Sequence, residues 1–102
     1  MEKETSLSES VEKIISNSQD LKVALDKFCQ LVSEKYNTHI SFCELHGQRW
    51  SFIAGSEEIF NVKERTPINH SYGLIYETDA LNKEQIHNIK ILSKKIIAKL
   101  TA

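Results

Sequence analysis

The chain has 102 residues, 40% of them apolar and 26% charged, with a formal net charge of −1. That is enough for one core and too little for two, so a single domain over 1–102 is expected. Three glycines and one proline exclude collagen-like and low-complexity classes, and the near-neutral balance gives no global field to recruit nucleic acid or an anionic membrane.

Residues 1–5 read as disordered. Ser6 and Glu9 then make an S-x-x-E capping box, and Leu7, Val11, Ile14 and Ile15 continue at helical spacing to about Ile15 or Ser16. The polar stretch "SNSQD" breaks this helix, and Ser18 or Asp20 can cap the next one. Leu21, Ala24, Leu25, Phe28, Cys29, Val32 and Tyr36 form its apolar stripe. Asn37 suits the left-handed position that ends it.

The period then changes from helical to alternating. In "THISFCEL", Ile40 and Phe42 share one face, with His39, Ser41, Cys43 and Leu45 on the other. "HGQ" supplies a turn with Gly47 at positive φ. "RWSFIAG" returns as a strand, with Trp50, Phe52 and Ala54 expected on one face. A further short strand is expected around Ile59, Phe60 and Val62, and Pro67 marks a strand edge or start because it cannot donate to a ladder. "SYGLIYET" is a strand with Tyr72, Leu74 and Tyr76 on one face. Gly73, on the other, offers no side chain, so something is expected to approach there. Asn82 and Gln85 read as the capping box of a last helix carrying Ile86, Ile89, Leu92, Ile96 and Leu100, with Ile91 and Ile97 widening its stripe.

The order α-α-β-β-(β)-β-α predicts an α+β fold, an antiparallel β-sheet with the N- and C-terminal helices packed on one face. Three stretches carry a family likeness. "LKVALDKFCQLVSEKYNTHISFCEL" looks like a first helix feeding a first strand, and "GQRWSFIAGS" like the second strand. "SYGLIYETDALNKEQIHNIKILSKKIIAKL" looks like the last strand, a linker and a closing helix. Together they resemble a GAF domain. Profilin-like and roadblock-type interaction folds share the same compact order. The resemblance implies a role in sensing or protein–protein contact. Only about a dozen residues, Ser56 to Pro67, stand where GAF domains carry the long segment that walls their ligand pocket. A pocket of the usual size needs such walls. The expectation is a trimmed GAF-like module that works by interaction, with a signalling protein as a further partner. The alternative is a sensor with a reduced pocket lined by Phe42, Trp50, Phe52, Tyr72 and Tyr76.

Residues 1–62 carry 10 acidic and 6 basic side chains, and residues 63–102 carry 4 and 7. A solvated face with cations near a helix C-terminus accounts for "KKIIAK". A homodimer in which acidic first and basic last helices meet is the sharper reading. No run approaches the roughly 18 apolar residues of a membrane span, and "MEKETSLSES" lacks a signal-peptide core. A cytoplasmic protein with reduced thiols at Cys29 and Cys43 is expected.

Chemistry-bearing clusters are sparse. His39 and Cys43 lie on one strand face about 13 Å apart, too far to share one zinc. Cys43 and His46 make only two ligands. His70 or His87 as a haem ligand would need a large apolar pocket, which the short middle does not offer. No G-x-S-x-G elbow, phosphate-cradling glycine loop or marked acid–base pair occurs. Sheet aromatics beside Arg49, Lys63 and Arg65 could stack bases, but no RNP-type phrase accompanies them. The expectation is no catalytic residue, no metal and no cofactor, with no nucleic acid and no membrane as partners.

Overall fold

Helix-forming residues carry the first helix further back than its internal capping box suggests. The computed structural model describes residues 2–55 and 63–101, and helix α1 spans Glu2–Asn17. Glu2, Lys3, Glu4 and Leu7 are all good helix formers, so the helix runs through Ser6 instead of starting there.

Helix α2 spans Leu21–Tyr36. Asp20 caps it, its side chain accepting the Lys22 N–H at 3.0 Å. Asn37 ends it at φ 55° and ψ 45°, its N–H donating to the Ser33 carbonyl at 2.8 Å. Of the two caps the sequence offers for the start of α2, Asp20 and not Ser18 is used, and Asn37 ends it as the sequence marks.

Four strands follow: β1 Ile40–His46, β2 Arg49–Gly55, β3 Lys63–Pro67 and β4 Tyr72–Glu77. They form one antiparallel sheet in the order β2-β1-β4-β3. Gly47, at φ +67°, turns the β1–β2 hairpin. Asn69 organises the β3–β4 turn, its side-chain oxygen accepting from the Ser71 and Tyr72 amides at 2.8 Å each. The strand expected around Ile59, Phe60 and Val62 lies outside the described residues. Pro67 does end an edge strand, as its missing N–H requires.

One residue changes the reading of β2. Phe42 pairs with Ala54, but Cys43 pairs with Phe52, so the register slips at Ile53. A bulge of this kind moves every side chain before it to the opposite face. Ala54 therefore joins the core, whereas Trp50 and Phe52 face away from it. The expectation that all three share a face is corrected by that single extra residue.

Helix α3 spans Lys83–Thr101 and opens on a complete capping box. The Gln85 N–H donates to the Asn82 side chain at 2.7 Å, and the Asn82 N–H donates to the Gln85 side chain at 2.9 Å. α2 packs on β1 and β2, with the Phe28 and Phe42 rings 6.3 Å apart. α3 lies beside α2 and reaches β3 through Lys90, whose amine donates to Thr66 at 3.4 Å. α1 packs on both α2 and α3. Val11, Leu25, Phe28, Ile40, Phe42, Leu74, Ile89 and Ile96 are fully buried where these layers meet, each contributing roughly 1.5–3 kcal/mol of hydrophobic burial.

Candidate functional site

The helices lie on one face of the sheet, and the opposite face is built by the bulge in β2 and the gap at Gly73. Cys43 pairs with both Phe52 and Gly73, so these three residues share that face. Trp50 reaches across β1 toward β4. A Cβ placed on Gly73 would lie 2.2 Å from the indole Cζ3 and 2.5 Å from Cη2. This is the close approach that the glycine announces. From the far edge, Arg65 sets its guanidinium carbon 5.0 Å from the indole centroid, a cation–π contact worth about 0.5–1 kcal/mol at such a site. Trp50 is thus held between backbone and cation, while Phe52 beside it is 42% exposed.

Cys43 is buried in this row. Burial raises its thiol pKa, partly opposed by the charges of Arg65 and Lys63. Cys29, on α2, is raised well above the ordinary thiol range by burial and then by the charge of Asp26. Both thiols stay protonated near neutrality, and a thiol is a weak nucleophile in that form.

The sheet divides the five aromatics expected to line a pocket. Phe42 is buried in the core. Tyr72 and Tyr76 pack against that core from the helix side, and the Tyr76 hydroxyl donates to Glu64 at 3.3 Å. Burial raises the Tyr76 pKa, with the charge and hydrogen bond of Glu64 adding to it. Trp50 and Phe52 stand on the opposite face. A single cavity cannot be lined by all five, because the sheet itself lies between them.

The terminal helices also meet within one chain, where Lys95 of α3 pairs with Glu12 of α1. Ile97 is buried in the chain's own core, and Ile91 alone of the widened stripe remains exposed, at 49%.

His39, His46, His70 and His87 are all exposed. Among the described residues, no group of three or more His, Cys, Asp or Glu side chains is placed to hold a metal. His46 lies 3.3 Å from Glu44. Sequence reasoning misses a shallow cleft of about 270 Å³ lined by Asp26, Cys29, Gln30, Ser33, His39, Ile40 and Gly55. Asp26 accepts the Gly55 N–H there at 2.8 Å. A helix residue and a strand end 29 positions apart leave no local pattern to read.

No helix among the described residues is long and apolar enough to cross a membrane. No family model matches the chain, and no curated protein matches it.

Proposed function

We propose that this chain is a non-catalytic regulatory module of GAF-like architecture that works by protein–protein contact, as a homodimer and with a signalling partner, in the cytoplasm. The observation that carries the reading is the sheet face that, among the described residues, no helix covers. It presents an exposed phenyl ring at Phe52 beside an indole packed between Gly73 and Arg65. Rigid aromatic anchors beside an arginine are typical of protein interfaces. The reduced-pocket alternative has less behind it, since Phe42, Tyr72 and Tyr76 stand on the other side of the sheet from Trp50 and Phe52.

Native mass spectrometry of the purified chain at two concentrations tests this. The module reading expects an oligomer that grows with concentration and carries no added small-molecule mass. A monomer at both concentrations that retains a bound small molecule would overturn it in favour of a sensor.

A further inference from the structure

Strand β2 lies at one edge of the sheet and, among the described residues, pairs only with β1. Its sequence, Arg49 to Gly55, carries one charge, at its first residue, and no proline. Natural sheets guard such edges with lysines, prolines and short length, because an open edge templates another strand. The opposite edge, β3, is guarded in this way: it has five residues, among them Lys63, Glu64, Arg65 and Pro67. Among the described residues, two of the three exposed large apolar side chains are Phe52 on β2 and Val23 on α2. Val23 sits one turn before Asp26, the residue that binds the end of β2, and i, i+3 positions share a helix face. The open edge therefore carries exposed apolar surface at Phe52.

We infer that β2 is a self-association edge: two copies of this chain pair their β2 strands antiparallel about a two-fold axis at Ser51, joining their sheets into one. The occupant follows from the pattern of the strand. Trp50-Ser51-Phe52 reads aromatic–small–aromatic in both directions, so an antiparallel pair centred on Ser51 sets Trp50 of each copy across from Phe52 of the other. Such isologous self-complementarity is what a two-fold interface requires, and cross-strand aromatic pairs stabilise it. The indole leans inward over Gly73, which leaves room above the edge for the incoming phenyl ring. The bulge at Ile53 comes just after the paired triplet and ends it. A charged peptide finds no complementary charge along the strand beyond Arg49. This inference rests on the interaction-module reading and assigns its self-association surface.

Sedimentation velocity of the full chain over a concentration series tests it, with Phe52→Lys and Ile91→Lys alongside. The wild type is expected to dimerise. Phe52→Lys is expected to raise the dissociation constant about tenfold or more, because the change acts twice across the axis, while Ile91→Lys leaves it unchanged. A second readout does not depend on the lysine variant folding. Ser51→Cys should form an interchain disulfide under mild oxidation, and Glu64→Cys on β3 should not. A dimer that Ile91→Lys dissolves and Phe52→Lys spares would overturn the edge assignment and leave the module reading standing. A wild type that stays monomeric throughout would overturn both.

Discussion

The two edges of the sheet are built from the same kind of backbone and treated in opposite ways. On β3 the side chains are engaged within the chain. Arg65 stacks on Trp50, Glu64 accepts from Tyr76, Thr66 accepts from Lys90, and Pro67 closes the strand. On β2, among the described residues, Trp50 takes the Arg65 contact and the Gly55 N–H at the strand's end donates to Asp26, while Ser51 and Phe52 between them carry no such side-chain tie. The guarding of β3 is thus a by-product of contacts that also hold the fold, whereas β2 keeps its apolar middle unguarded. The charged side chains are thus concentrated on β3, and β2 carries one, at Arg49.

The contrast can be tested by substitution, beginning with the tie at the end of β2. A Cβ on Gly55 would lie 2.5 Å from the Ile40 carbonyl oxygen, and its φ of +105° is one that residues with a side chain rarely adopt. Gly55→Ala should cost about 3 kcal/mol or more, read as a lower urea midpoint. Pro67→Ala on β3 should stay within about 0.5 kcal/mol. Equal effects would remove the asymmetry.

Gly73→Ala should cost about 1–3 kcal/mol, because the new methyl group meets the Trp50 ring. Trp50 is the chain's one tryptophan, so its emission should shift to the red as the ring lifts into water. Unchanged emission would show that the indole does not need the glycine. Arg65→Ala should cost about 0.5–1 kcal/mol and quench or shift the same emission more mildly.

The smallest expected effect is alkaline. Tyr76 has its pKa raised in the folded state by burial and by Glu64, so the fold holds that proton more tightly than the unfolded chain does. The stabilisation is complete below the ordinary tyrosine value of about 10 and is lost as pH rises through the folded value. Thermal unfolding followed from pH 9 upward should show this loss, and Glu64→Gln should reduce it. A loss of the same size in Glu64→Gln would leave burial as the whole cause.

Local chemistry was the legible part of this sequence. Asp20, Asn37, Asn82 and Gln85 act over two to four residues, so their caps could be read directly and are found as expected. The α+β class and the antiparallel sheet followed from the change of period at Thr38. The start of α1 was misread because Ser6 offers a cap that good helix formers before it override. The alternation in "RWSFIAG" breaks at Phe52-Ile53-Ala54, but three apolar residues in a row do not show which of them is extra, and the bulge at Ile53 alone sets Trp50 and Phe52 across the sheet from Ala54. Gly73 signalled a close approach but could not name Trp50, which comes from a strand two places away in the sheet order. The charge asymmetry between the two halves was visible, but its resolution within one chain, through Glu12 and Lys95, depends on helix packing 83 residues apart.

Hydrogen exchange of the backbone amides at low and high protein concentration tests the account most directly. Those amides of Trp50 to Ile53 that point away from β1 should gain protection as concentration rises, while those of Lys63 to Thr66 on the guarded edge should not change. Exchange at both edges that is equally fast and independent of concentration would contradict the claim that this protein works through β2.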